Sequence, residues 1–152
     1  MQAALTLSRE PGIMGLKDSS GNFHRFRELV ALLKGRADFG VAQGDEWTID
    51  ASVLIGADAI VPGIGSIAPR LCVDIFNAAK AGQVKKAQTY QEQLLRLFQI
   101  YGDNVETWCA GIKEALRFLG LFHQAIPSRP LPQLTEKEKK RIHKVLKEEN
   151  LI

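Results

Sequence analysis

Residues 12–21 read Gly-Ile-Met-Gly-Leu-Lys-Asp-Ser-Ser-Gly, and they decide how the rest of the chain is interpreted. The stretch begins after Pro11, continues as a short apolar run and reaches Lys17 just before a group of turn residues. A run of this length between such boundaries predicts a buried strand rather than a helix. Side chains alternate along a strand, so Ile13, Gly15 and Lys17 are expected to share one face.

The position of Lys17 suggests a chemical role. Gly15 is predicted to leave open space beneath the lysine side chain, and the turn that follows places the amine at the carboxyl end of the strand. Ligands bind at that end in parallel α/β folds. An amine held among apolar neighbours has a lowered pKa and can attack a carbonyl carbon to form a Schiff base. From the pattern alone, a lysine that only extends into solvent is an open alternative.

The residues after this strand predict alternating helices and strands. Phe23, Phe26, Leu29, Val30 and Leu33 recur at helical spacing, and Gly35 follows as the expected C′ residue. A second strand is predicted over 39–42, a helix from 45 to about 55 and a third strand over 57–61.

The second half of the chain is predicted to be helical. The glycine-rich residues 62–66 lead to a helix with Pro69 in its first turn, and two further amphipathic helices follow with no strand between them. Thr135 and Glu138 have the spacing of a capping box that opens a last helix. The lysines and arginine of that helix are interpreted as a solvated face, with a polyanion contact as the alternative.

Three stretches resemble, in order and spacing, the dihydrodipicolinate synthase / N-acetylneuraminate lyase family of class I pyruvate aldolases and dehydratases. They are the Lys17 motif, Gly44-Asp45-Glu46, and residues 56–69, Gly-Ala-Asp-Ala-Ile-Val-Pro-Gly-Ile-Gly-Ser-Ile-Ala-Pro. The resemblance extends over nearly the whole chain but matches only the C-terminal half of the family. It implies an α/β fold, the C-terminal part of a (β/α)8 TIM barrel, with a partial barrel over 1–81 and a helical extension over 82–152.

The resemblance also implies roles for individual residues. Lys17 is expected to be the catalytic, Schiff-base-forming lysine, and Ser19, Gly44, Glu46 and the main-chain oxygen of Val61 are expected to contact substrate. Two alternatives stay open from the residues themselves. Ser19 is equally well explained as a turn serine, and Glu46 as an acidic residue in the first turn of a helix, where it suits the helix dipole.

These roles predict a lyase that acts on pyruvate or on a 2-oxo-3-deoxy sugar acid, by aldol cleavage, condensation or dehydration, without a metal or organic cofactor. The family's Thr-Thr pair, which holds the substrate carboxylate, and its proton-relaying tyrosine are expected to lie outside this chain. A second hypothesis is a non-catalytic half barrel or interaction module, because three strands with open edges expose surface that is normally paired or covered.

Composition limits the alternatives. With 152 residues and 45% apolar content, the chain can bury one moderate core, whereas a complete (β/α)8 barrel takes about 250 residues. The net charge of +3 arises from mixed acids and bases, so no nucleic-acid partner is predicted. No targeting segment or membrane span is predicted either. We therefore expect a cytoplasmic protein that forms a homo-oligomer or associates with a missing N-terminal half, its two cysteines, Cys72 and Cys109, being reduced core thiols.

Overall fold

Short strands and helices alternate in the first part of the chain, and helices alone follow in the rest of what is described. The structure is a computed structural model that describes residues 1–102, 105–126 and 132–152. The first part contains, in order, α1 (Gln2–Leu7), β1 (Gly15–Asp18), α2 (Phe23–Leu33), β2 (Gly40–Gln43), α3 (Ile49–Leu54) and β3 (Ala59–Ile60). The second contains α4 (Pro69–Lys80), α5 (Val84–Leu97), α6 (Val105–Phe118) and α7 (Glu136–Glu148).

The first strand begins later than predicted. Ile13 and Met14 lie before β1 and are 37% and 80% exposed, so the prediction that they belong to a buried strand is wrong. The cause is the preceding turn. Gly12 has a φ of +89°, and the Ile13 amide donates to the carbonyl oxygen of Glu10 at 3.2 Å, so it is used by the turn, and pairing with β2 starts only at the Met14 carbonyl oxygen, which accepts from the Gly40 amide at 2.9 Å.

The three strands form one parallel sheet in the order β1-β2-β3. Lys17 pairs with Ala42, and Ala42 pairs with Ala59, so these three side chains share one face. All three predicted strands are present; β1 and β3 are shorter than expected, and β2 has the expected length but begins one residue later. Parallel strands joined through helices bring their carboxyl ends to the same edge of the sheet.

The opposite face of the sheet carries the core of this part of the chain. Leu16 and Val41 lie on that face, Val41 being 1% exposed. They pack with the predicted apolar stripe of α2, and the buried cluster consists of Phe26, Leu29, Val30, Leu33, Phe39, Val41 and Ala57. Asn22 caps α2 by accepting from the Arg25 amide, and Gly35, at φ +83°, follows its end. We call this side the covered face and the side that bears Lys17 the open face.

The helices of the second half form as the periodicity predicted. Pro69 is the first residue of α4, and α4, α5 and α6 follow one another with no strand between them in the described residues. The predicted capping box is confirmed: the Glu138 amide donates to the Thr135 hydroxyl at 3.3 Å, and the Glu138 carboxylate accepts from the Thr135 amide at 2.6 Å. No helix in the described ranges is both long and apolar enough to cross a bilayer.

The chain divides into two compact units, each built from two segments. One consists of residues 1–63 and 72–91, and it contains the sheet. The other consists of residues 64–71 and 92–152. Within the second unit Tyr101 stacks between Phe98 and Trp108, with ring centroids 5.4 and 5.1 Å away, and Arg96 pairs with Glu149 at 2.6 Å. The predicted division into 1–81 and 82–152 stays a prediction.

The two cysteines differ from each other. Cys72 is buried in α4, as expected, whereas Cys109 is exposed on α6. The prediction that both are core thiols is therefore wrong for Cys109. The helical pattern around Cys109 places it beside the buried stripe of α6, and Ala110, Ala115 and Leu116 occupy the stripe itself.

Candidate active site at the carboxyl end of β1

Lys17 lies on the open face, one residue before the end of β1. Its neighbours on that face are small, since Gly15, Ala42 and Ala59 share it, and Lys17 itself is exposed. The prediction that the amine is shielded from water is therefore wrong for this chain, because Lys17 is exposed. Lys17 is exposed because α2 and the buried cluster lie against the covered face, on the other side of the sheet. The amine is accessible to a small molecule.

Gly15 has a different role from the one predicted. A Cβ at this position would lie 2.6 Å from the carbonyl oxygen of Gly40 on β2, closer than real Cβ atoms approach. The absence of a side chain is thus required by the neighbouring strand. Gly15 lets β1 and β2 pair closely, and that pairing fixes the register of Lys17 relative to β2.

Gly44, directly after β2, leaves room for Lys17. A Cβ on Gly44 would lie 2.5 Å from Lys17 Cε and 3.0 Å from the Asp18 carbonyl oxygen, and closer still to the Ser19 hydroxyl. The Gly44 amide also donates to the Asp18 carbonyl oxygen at 2.8 Å. The structure therefore brings three of the predicted site residues, Lys17, Ser19 and Gly44, to one point.

Asp18 anchors the end of β1 from the covered face. Its side chain is 3% exposed, accepts from the Ser20 amide at 2.8 Å and forms a two-pronged ion pair with Arg25 at 3.0 and 3.2 Å. Burial alone raises a carboxyl pKa, but the hydrogen bonds from Ser20 and Arg25 outweigh it, so the pKa of Asp18 is lowered. The carboxylate is ionised at neutral pH and fixes the turn that follows Lys17.

The buried side-chain amide of Gln43 holds the segment 44–50 in place. Gln43, 2% exposed, accepts from the Asp45 amide at 2.8 Å and donates to the Ser52 hydroxyl at 2.8 Å. Asp45 in turn accepts from the Trp47 amide at 3.2 Å, as an N-cap does. A short 3₁₀ turn over Glu46–Thr48 results, followed at once by α3.

Glu46 and Val61 are placed differently from the other candidates. Glu46 is 6% exposed, so it lies inside the fold, whereas Val61 is 48% exposed. Burial first, and the Glu46 carboxylate second, raise the pKa of the Cys72 thiol to about 12. The Val61 amide donates to the Gln43 carbonyl oxygen at 2.8 Å. Two strand spacings put Val61 about 10 Å from β1, on the same edge of the sheet.

Sequence reasoning missed the residues that support this site. Asp18 and Arg25 are seven positions apart, and their pairing could have been suspected from an acid at a strand end beside an early helical arginine. Gln91 lies between Ala87 and Leu94 on the apolar stripe of α5, and a polar residue within such a stripe is the signal that was available.

Within the described ranges, no three His, Cys, Asp or Glu side chains are grouped so that they could hold a metal ion.

The parallel sheet of strand–helix units, with an accessible lysine at the carboxyl end of a strand, matches the C-terminal part of a (β/α)8 barrel. Comparison with known proteins gives the family. The model of the dihydrodipicolinate synthetase family matches residues 2–149. The chain belongs to the dihydrodipicolinate synthetase family.

Individual relatives agree with this assignment. A 4-hydroxy-tetrahydrodipicolinate synthase of Dechloromonas aromatica is 30% identical over 97% of this chain and 49% of its own length. The enzyme of the same name from Nitrosomonas eutropha is 32% identical over 95% and 48%. A chloride-inhibited dihydrodipicolinate synthase of Acinetobacter baumannii, solved with pyruvate, superposes with a TM-score of 0.87 at 28% identity, over 99% of this chain and 50% of that one. The chain spans about half the length of the relatives it matches.

Proposed function

We propose that this chain carries the Schiff-base lysine of a lyase that acts on pyruvate or a 2-oxo-3-deoxy sugar acid, with Lys17 as the nucleophile. The observation that carries the proposal is the convergence of Lys17, Ser19 and Gly44 on the open face, where Gly44 has no side chain to obstruct the lysine. Membership of a family whose relatives are named synthases supports it.

The chemistry requires the neutral form of the Lys17 amine. Its nitrogen attacks the keto carbon of the substrate, and loss of water leaves an imine between Lys17 and the substrate. Once protonated, the imine withdraws electrons from the adjacent carbon, which makes carbon–carbon bond formation or cleavage feasible at neutral pH. We assign Ser19 to contact the bound acid and Gly44 to border it. We assign Glu46 and Val61 to the distal part of the substrate.

The remaining groups are proposed to come from a partner. Substrate carboxylate binding and proton relay need further donors, and the family resemblance attributes them to a Thr-Thr pair and a tyrosine in the N-terminal half. The open face and the two outer strand edges are where such a half, or another copy of this chain, is expected to bind. A cytoplasmic location stays a prediction as well.

Reductive trapping tests the proposal. The chain is incubated with pyruvate and borohydride, and peptide mass spectrometry locates any reduced adduct. We expect the adduct at Lys17, and none there in Lys17→Met, because the substitution removes the amine and leaves an exposed position whose loss does not disturb the core. Lys80, which is also exposed but lies on α4, is the matched control: Lys80→Met should leave the adduct at Lys17 unchanged.

The same experiment separates the lyase from a non-catalytic half barrel. That second candidate is favoured by one observation, the open face of a sheet whose chain spans half the length of its relatives. A folded chain that gives no adduct at Lys17, alone or with a separately expressed N-terminal half of a relative, supports the interaction module and contradicts the lyase. An adduct only after the second half is added supports a site shared between two chains.

A further inference from the structure

Gln91 is a buried polar residue of α5 whose contacts reach the candidate site. It is 5% exposed. Its side-chain amide donates to the carbonyl oxygen of Glu46 at 2.9 Å, across 45 positions of sequence. Its amide oxygen accepts from the backbone amide of Asp50 at 3.3 Å. A single side chain thus spans the start of the 3₁₀ turn and the first turn of α3.

Gln43, the last residue of β2, forms hydrogen bonds to the same segment. Its amide oxygen accepts from the Asp45 amide, and its nitrogen donates to the Ser52 hydroxyl, both at 2.8 Å, and to the Thr48 hydroxyl at 3.4 Å. Gln43 and Gln91 together bind the backbone at positions 45, 46 and 50. We refer to these two buried glutamines as the amide clamp.

The clamped positions directly follow the residue that borders Lys17. Gly44 precedes Asp45, and its own amide donates to the Asp18 carbonyl oxygen. A buried donor or acceptor left unsatisfied is costly, so the clamp strongly favours one path of the backbone through residues 44–50. We infer that Gln91 is a positioning residue: from the helix beyond the β–α units it fixes the loop that borders Lys17 and thereby sets the reactivity of that lysine.

This inference rests on the proposed function and adds a residue to it. It also explains why the first part of α5 belongs to the same compact unit as the sheet. Gln91 is the last residue of the unit that contains β1, β2 and β3, so the part of the helical region that reaches the site belongs compactly with them.

Three variants test the role. Gln91→Leu removes both hydrogen bonds. Gln91→Glu keeps the shape but, when ionised, places a carboxylate oxygen against the Glu46 carbonyl oxygen, whereas its protonated form can again donate there. Gln88→Glu introduces the same charge on the exposed side of the same helix and serves as the matched control.

Two readouts are measured on the full chain. Amide hydrogen exchange at Gly44 and Asp50 reports the loop, and the rate of borohydride-trapped pyruvate addition at Lys17 reports its chemistry. In Gln91→Leu we expect exchange at both amides to accelerate and the addition to slow, each by about tenfold, as for one or two lost buried hydrogen bonds. In Gln91→Glu the rate relative to the unaltered chain should recover as the pH falls toward the ordinary glutamate pKa of about 4.3.

Each outcome supports or contradicts either the amide clamp or the positioning role of Gln91. Unchanged exchange at Gly44 in Gln91→Leu contradicts the clamp, and faster exchange with an unchanged rate at Lys17 contradicts the positioning role. A pH-dependent recovery in Gln91→Glu but not in Gln88→Glu supports it and shows that the variant is folded. If the unaltered chain forms no adduct, the proposed function fails and the link to chemistry fails with it, while the exchange data still confirm or reject the clamp.

Discussion

The covered face and the open face of the sheet are built from alternate residues of the same strands, yet they differ in size, burial and polarity. Leu16, Asp18 and Val41 face the helices and are buried or half-buried. Lys17 and Ala59 face the other way and are exposed, as is Gly15. Since side chains alternate along a strand, one residue of register separates the part of the sheet that stabilises the fold from the part available for chemistry.

The comparison also shows how the two faces depend on each other. Asp18 is held on the covered side by Ser20 and Arg25, and its carbonyl oxygen receives the Gly44 amide that borders Lys17. Gln43 is likewise buried on the covered side and fixes the Asp45 amide. The accessible lysine is therefore positioned by buried polar groups on the opposite side of the same strands.

The largest effect is expected from a methyl group on the open face. Gly44→Ala places a Cβ 2.5 Å from Lys17 Cε, so either the lysine or the loop must move. Because a displacement of about 1 Å can lower a reaction rate about 100-fold, we expect pyruvate addition at Lys17 to slow by about that factor. The measurement is the trapping rate followed by mass spectrometry.

Gly40→Ala is the matched control for this variant. It adds the same methyl group to the same face of β2, where the nearest atoms are 3.8 Å (Asp58 Cβ) and 4.0 Å (Met14 carbonyl oxygen) away, at ordinary contact distance. We expect its trapping rate to equal that of the unaltered chain. If both variants slow the reaction equally, crowding at Gly44 is not the cause, and the site geometry proposed above is wrong.

A smaller effect is expected when the same substitution is made on each face. Val41→Ala removes two methyl groups from the buried cluster, which lowers the free energy of unfolding by about 2 kcal/mol. Val61→Ala removes the same groups from a residue that is 48% exposed, and its effect should stay within about 0.5 kcal/mol. Urea unfolding followed by circular dichroism compares the two. Equal losses would show that the open face is covered in solution, for example by self-association.

Much of this organisation could be predicted from local sequence, and the exceptions have physical causes. The stripe of α2 and the capping box at Thr135 depend on neighbours within one or two turns, so their patterns were sufficient. The apolar pattern does not show the turn hydrogen bond of Ile13 or the exposure of Met14. The pairing of Gln91 with Glu46 joins residues 45 positions apart, and no local pattern specifies such a partner.

The placement of Lys17 shows a similar limit. Its motif, in family context, indicated both the strand and the face, and the structure has Lys17 on the face away from α2. Its surroundings could not be derived in the same way, because burial depends on what packs against the open face rather than on the residues of β1. The sequence predicted an enclosed amine, whereas in this chain the amine is exposed.

The smallest effect is expected at Asp18, which fixes the turn after Lys17. Measurements at several pH values distinguish the contribution of its charge from that of its shape. Asp18→Asn keeps an acceptor for Ser20 but loses the ion pair with Arg25, so we expect a loss of about 1 kcal/mol at neutral pH. The folded-state pKa of Asp18 is lowered, so its contribution is present above the ordinary value of 3.8 and disappears as the pH falls through the lowered pKa. Urea unfolding at a series of pH values should therefore show the unaltered chain and Asp18→Asn converging in acid. Asp38→Asn removes an exposed partner of Arg36 and should show a smaller difference at neutral pH. Curves that stay parallel down to the lowest pH would mean that Asp18 acts through shape alone, and the covered face would then hold the Lys17 turn without using charge.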